Sequence, residues 1–192
     1  YIQKLQWPAV ESEPVLENEK RLQEGQLFHR LVQQHLLGLP AERLDRMVIS
    51  PSLRLWWENY LAHPPVLAGV ERYPELSLSA PLGEHFRILA KYDLVTLDRD
   101  SRALIYDWKT NNRRPGNETL AARWQTRTYR YLLVRAGSQL NGGKELLPEQ
   151  VELVYWFAVH PVEQASFPYS SGQFQRDHDT LLRMVTTIAN DR

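Results

Sequence analysis

The chain contains no cysteine, which removes disulfides, thiolate zinc sites and cysteine-ligated iron–sulfur clusters at once. It has no net charge either, with 23 Lys and Arg against 23 Asp and Glu. A polyanion must then be held by local clusters of basic groups rather than by a global field. No apolar run approaches the roughly 18 residues of a membrane span, and no secretory apolar segment is visible. A cytoplasmic protein with no membrane partner is expected. There is no glycine-rich phosphate loop, so an ATP-driven motor is excluded, and no serine lies in a nucleophile elbow. The chain opens on Tyr1 rather than Met, and is expected to be a piece of something longer. What is present is an ordinary globular composition, 43% hydrophobic and 24% charged over 192 residues. That is enough for one domain with a proper core.

Periodicity divides the chain. Leu22, Leu27, Leu31 and Leu36 recur at roughly helical spacing through 17–37, and Gly38-Leu39-Pro40 stops that helix. Ser50 before Pro51 is an N-cap with proline in the first helical position. It opens a short helix through Trp56, Trp57 and Tyr60, which His63-Pro64-Pro65 ends. The pattern then turns extended, with strands expected near 74–80, 85–97 and 102–109 and turns at 81–83 and 98–101. A polar loop over 111–117 leads to a helix over 118–135 closed by Gly137. A strand over 151–159 and a last helix from Ser170 or Ser171 complete the chain. This order predicts an α/β fold, a central mixed β-sheet flanked by helices. A single domain over 1–192 is expected, with a helical insertion near 40–65.

The chemistry concentrates in Ile105-Tyr106-Asp107-Trp108-Lys109-Thr110 and the preceding Leu89-Ala90-Lys91-Tyr92-Asp93-Leu94-Val95. Strand side chains alternate, so Asp107 and Lys109 share one face and Trp108 takes the other. With Asp93 supplied by the neighbouring strand, two acids and a lysine suit a hard divalent cation and a phosphate. The competing reading is an ion pair on a solvated sheet face. Charges at the end of a buried strand need a reason, which favours the first. His29, one turn after Gly25, is a ligand or simply a helix histidine. Gly25 itself is unfavourable in a helix by about 1 kcal/mol, so a sheet or a nucleic-acid strand is expected to approach there. Gln125 and Tyr129, at i and i+4, share a helix face that touches substrate or caps a buried edge.

Between 109 and 135 stand Lys109, Arg113, Arg114, Arg123, Arg127, Arg130 and Arg135 against one acid, Glu118. Such a cluster suggests a phosphate-rich partner. Arg113 and Arg114 are the better candidates for nucleic-acid contacts, and Arg123, Arg127 and Arg130 are expected on the solvated side of their helix.

Together these pieces resemble the PD-(D/E)XK nuclease superfamily, and specifically its RecB-like branch. The motifs occur in that family's order from about Gly25 to Phe157: GxxxH as Gly25 to His29, a lone Asp93, Asp107-Trp108-Lys109, and QxxxY as Gln125 to Tyr129. The resemblance implies that His29, Asp93, Asp107 and the main-chain carbonyl of Trp108 ligate Mg²⁺ or Mn²⁺. It implies that Lys109 assists the hydrolytic water, and that Gln125 and Tyr129 hold the lysine or the nucleic acid. Glu75 matches an additional family acid, with Glu71 competing for that place. Ala90 stands where members often have glycine, and the missing cysteines mark the cluster-free type. The implied activity is a deoxyribonuclease on single- or double-stranded DNA, an exonuclease in repair, recombination or defence, with a helicase as possible partner. The alternative is a catalytically silent DNA-binding or scaffold module of a helicase–nuclease assembly.

Overall fold

The computed structural model describes residues 12–67 and 70–190. Its centre is a five-stranded mixed sheet in the order β1 (Glu71–Pro74), β4 (Leu94–Leu97), β5 (Ala103–Lys109), β6 (Val151–Phe157) and β7 (Ala165–Pro168). Only β5 and β6 run parallel. A separate hairpin pairs β2 (Ser77–Leu82) with β3 (Phe86–Lys91). The α/β fold with helices flanking a mixed sheet is thus the one the sequence predicts.

The single strand expected over 85–97 is two strands in two sheets. β3 buries one residue in six, whereas all four residues of β4 are buried. A half-exposed hairpin strand and a strand covered on both faces cannot share one environment, and the chain changes sheets at Tyr92-Asp93. The partner segment changes sheets at the same level. Glu75 adopts φ 55°, its N–H donates to the Asp93 carbonyl at 3.0 Å, and Tyr92 N–H donates to the Leu76 carbonyl at 2.8 Å. The strand predicted near 74–80 is accordingly divided into β1 and β2. The short edge strand β7 has no counterpart in the sequence reading.

Each face of the sheet carries its own core. Ala103 and Ile105 of β5, with Val151, Leu153, Tyr155 and Phe157 of β6, pack against Tyr131, Leu132 and Leu133 of α5 (Trp124–Ala136). On the other face Tyr106, Trp108, Val154 and Trp156 meet α1 (Ser12–Leu36) and α3 (Pro51–Ala62) through Phe28, Leu31, Trp56, Trp57 and Tyr60. Period-two alternation along β5 therefore sends Trp108 into the aromatic core and Asp107 to the α5 side. α3 begins as expected: the Ser50 hydroxyl accepts from Leu53 N–H at 3.2 Å, and Pro51 follows. Two of the indole N–H groups find partners, Trp57 in Asp45 at 2.7 Å and Trp156 in the His63 carbonyl at 3.2 Å. A short α2 (Ala41–Leu44) links α1 to α3, and α6 (Ser171–Asn190) lies over α5.

The helix expected over 118–135 is broken. α4 (Asn117–Ala122) ends at Arg123, whose extended backbone (φ −62°, ψ 139°) redirects the chain into α5. The Thr126 hydroxyl donates to the Leu120 carbonyl at 2.5 Å, beside the Arg123 N–H that reaches the same carbonyl at 3.2 Å, and so ties the two helices together across the break. The redirected helix packs against α6, and this overturns the solvated arginine face. Arg130 is 4% exposed and donates to the carbonyls of Thr126 (2.9 Å) and Pro168 (2.8 Å). Arg127 is paired with Asp177 at 2.6 Å. Among the described residues no helix is long and apolar enough to cross a membrane.

Candidate active site

The carboxylates meet where β4 and β5 lie side by side. Leu94 pairs with Tyr106, so the residue before it, Asp93, comes to Asp107, the residue after its partner. Asp93 Oδ2 accepts the Trp108 N–H at 2.8 Å, and Oδ1 lies 3.1 Å from His29 Nδ1. α1 brings His29 close because Gly25 lets the helix approach the end of β5. A Cβ at Gly25 would stand 3.1 Å from Thr110 Oγ1. The expected close approach at this glycine is that of the sheet.

α5 supplies the other wall. Gln125 is a two-sided clamp: its Nε2 donates to Asp107 Oδ1 at 2.5 Å and its Oε1 accepts from Lys109 Nζ at 2.9 Å. Lys109 Nζ also lies 2.5 Å from Asp107 Oδ2 and 5.1 Å above the Tyr155 ring, a cation–π contact. Tyr129 works one step back. Its hydroxyl donates to the Lys91 carbonyl at 2.8 Å, and its ring packs 4.8 Å from Tyr92, so it braces the segment that carries Asp93.

Asp107 is 3% exposed, and its Oδ2 has no aligned hydrogen bond. The Lys109 ammonium faces that oxygen as an ion pair without hydrogen-bond direction. Burial and then the charge of Asp93 push the Asp107 carboxyl up to about 6, against the opposing pull of Lys109 and His29. Burial lowers His29, but its hydrogen bond to Asp93 and the charges of Asp93 and Asp107 outweigh that and leave it raised. Two acids crowd each other in a buried site, and the charges of Lys109 and His29 do not outweigh the burial.

The donor set is chemically right for a hard divalent cation: carboxylate oxygens, one imidazole and a carbonyl. The buried, unaligned Asp107 Oδ2 is the atom such a cation would satisfy. Among the described residues no three of these side chains already surround a common point. They are bonded to one another instead, His29 to Asp93 and Lys109 to Asp107, so binding would exchange those contacts.

The remaining candidates separate. Glu75 lies beside Asp93 through its backbone, and its carboxylate is ion-paired with Lys91. Glu71 sits opposite Leu97 at the far end of the sheet, beside a different cavity with Asp98 and Arg99. Arg113 is exposed in the loop after Lys109 and lines a cavity with Arg21, Trp56 and Thr110. Arg114 is spent on the fold: it donates to the Glu163 carbonyl (2.8 Å) and to Asn117 (2.7 Å) and lies over Phe157. The sequence reading overlooked Tyr155, the ring under Lys109. The alternation of β6, in register with Asp107 across the parallel pair, was the signal for it.

With this geometry in place, the comparison with known families is decisive. The model of the PD-(D/E)XK nuclease superfamily matches residues 1–192. The chain belongs to the PD-(D/E)XK nuclease superfamily. Its chemistry is accordingly that of a nuclease, a phosphodiester hydrolase, and nucleases of this superfamily generally use divalent metals such as Mg²⁺. A solved structure similar to it is that of SSO0001, at 12% identity and a TM-score of 0.36, over 84% of this chain and 70% of that one. No curated protein matches the sequence.

Proposed function

We propose that this PD-(D/E)XK protein is a Mg²⁺- or Mn²⁺-dependent deoxyribonuclease of the RecB-like branch. It acts as an exonuclease on single- or double-stranded DNA in repair, recombination or defence, alongside a helicase partner. The observation that carries the metal-dependent reading is the buried, under-compensated Asp107 beside Asp93, with Lys109 clamped at its rim. The shared packing of α1, α3 and the sheet supports reading the chain as one domain, with 40–65 as an integral addition.

His29, Asp93, Asp107 and the Trp108 carbonyl would hold the cation, with Glu75 close enough to support Asp93. When bound, the cation supplies positive charge against the phosphate oxygens as negative charge gathers on them. The chain's own residues do the rest. Gln125 and the Tyr155 ring hold the Lys109 ammonium in place, so that its remaining N–H groups donate to the attacking water and to the phosphoryl oxygen. Water attacks phosphorus and gives up a proton to solvent, the phosphorus–oxygen ester bond breaks, and the departing oxygen takes up a proton from solvent. Tyr129 keeps Asp93 in place by anchoring Lys91, and the apolar wall around Trp108 keeps bulk water from behind the acids.

The test is cleavage of end-labelled linear DNA and of closed circles with Mn²⁺ and with EDTA. Asp107→Ala and Lys109→Ala should each lose at least about 100-fold in rate while remaining folded. Sparing of circles marks exonuclease action. Equal cleavage by wild type and both variants would sink the assignment. A second reading is a silent DNA-binding module: the acids are bonded to their own neighbours, Asp93 to His29 and Asp107 to Lys109. A folded protein that binds DNA, takes up no Mn²⁺ and cuts nothing would establish that reading.

A further inference from the structure

The basic run from 109 to 135 is mostly consumed inside the fold, Arg114 by Glu163 and Asn117, Arg127 by Asp177, and Arg130 by backbone carbonyls. The positive charge that borders the acids comes from elsewhere. A cavity of about 550 Å³ opens beside His29 and Asp93, walled by Arg21, Gln26, Arg30 and Gln33 of α1 and by the Lys91–Glu75 ion pair opposite. A second cavity continues it past Thr110 to Arg113, sharing Arg21 and Leu22 with the first. Arg21, Arg30 and Arg113 are exposed and form no ion pair among the described residues. Leu22, 65% exposed, lies in the floor they share.

Arg21 and Arg30 are nine residues apart, about 13 Å along the helix, and half a turn opposed around it. They stand at opposite rims of the face that carries Leu22, Gly25 and His29. We propose that this groove is the track of one nucleic-acid strand. Its phosphates contact Arg21 and Arg113 on one side of the His29–Asp93 pair and Arg30 on the other, and Leu22 meets the sugars or bases between them. The assignment rests on the nuclease reading above and adds the path of the substrate to it. The rival basic surface is the cavity between α5 and α6, with Arg127, Arg130, Arg176 and Arg183. Two of its arginines are taken up by the fold, Arg127 by Asp177 and Arg130 by backbone carbonyls, and Glu118 and Asp179 stand beside the other two.

Counter-ion release makes the assignment measurable. Each phosphate contact to a single strand contributes about 0.7 to the slope of log K against log salt. A fluorescent dT oligomer would be titrated by anisotropy, in EDTA and separately in Ca²⁺, with wild type and single variants. Arg21→Ala, Arg30→Ala and Arg113→Ala should each weaken binding several-fold and flatten the slope by about 0.7. Arg21→Lys should restore the slope, and Arg176→Ala and Arg183→Ala should change neither quantity. Unaltered binding by the three groove variants, losses confined to the α6 variants, or no binding by wild type in either condition would each overturn the track. The binding readout needs no cleavage. A wild type that shows the groove dependence yet never cuts would therefore refute the catalytic reading alone.

Discussion

Among the described residues two aspartates are buried, and their surroundings could hardly differ more. Asp177 on α6 is 5% exposed, and both its oxygens are matched: Arg127 Nε donates to one at 2.6 Å and the Tyr169 hydroxyl to the other at 2.9 Å. Arg130 stacks 4.5 Å from the Tyr169 ring and closes the cluster. Asp107 is buried as deeply, yet one oxygen takes a neutral amide and the other an unaligned ammonium, with a second carboxylate alongside. Burial of an acid therefore does not distinguish chemistry from architecture. Incomplete compensation does, because a carboxylate that the fold leaves wanting positive charge is poised for an outside cation.

The widest separation of the two acids is expected in catalysis. Asp107→Asn should remove at least about 100-fold of the cleavage rate, whereas Asp177→Asn should leave the rate per folded molecule within a few-fold of wild type. Stability should sort the pair the opposite way. Asp177→Ala strands Arg127 and the Tyr169 hydroxyl and should cost about 3 kcal/mol in a urea titration. Little loss there would remove the contrast.

Asp107→Asn should instead raise the thermal midpoint of the metal-free protein above pH 6. The carboxyl is raised from 3.8 to about 6 on folding, so the folded state holds the proton more tightly than the unfolded chain. Stability of the metal-free wild type then falls as pH rises between those values, and the deficit is fully present above about 6. Asp107→Asn should flatten that part of the profile and gain a few degrees at pH 7, roughly 2–4 °C per kcal/mol relieved. A profile that is the same in the variant would show that Asp107 is not the frustrated group.

The smallest effect should come from Gly25. Alanine favours the helix by about 1 kcal/mol but places a Cβ against Thr110 Oγ1 at 3.1 Å. The two should nearly cancel in stability, within about 1 kcal/mol. The outward shift of α1 should still cost activity several-fold by moving His29. Thr110→Ala in the same chain should restore it, and failure of that rescue would put the importance of Gly25 elsewhere.

Much of the Asp107 site was legible in the sequence. Asp107, Lys109, Gln125 and Tyr129 stand on periodic elements, and period two or 3.6 determines which side chains share a face. Trp108 goes to the opposite core for the same reason. What the sequence concealed depends on contacts across elements. The change of sheet at Asp93 requires Glu75 and Leu76 to switch with it, and nothing local to 85–97 announces that. The break at Arg123 is completed by Thr126 reaching back to Leu120. The arginines of α5 read as a solvated stripe because Asp177, Tyr169 and Pro168, which absorb them, lie 38 or more residues further along the chain. Glu75 and Glu71 were indistinguishable by spacing, and only the strand register puts one of them beside Asp93.

The most direct measurement is the thermal midpoint of wild type and Asp107→Asn at pH 7, titrated with Mn²⁺. A cation that binds only the folded state raises the midpoint as its concentration passes the dissociation constant. The account predicts a concentration-dependent rise for wild type and almost none for the variant, which starts higher. A rise of equal size in both, or no rise in the wild type, would contradict the claim that the under-compensated pair Asp93 and Asp107 is a metal centre.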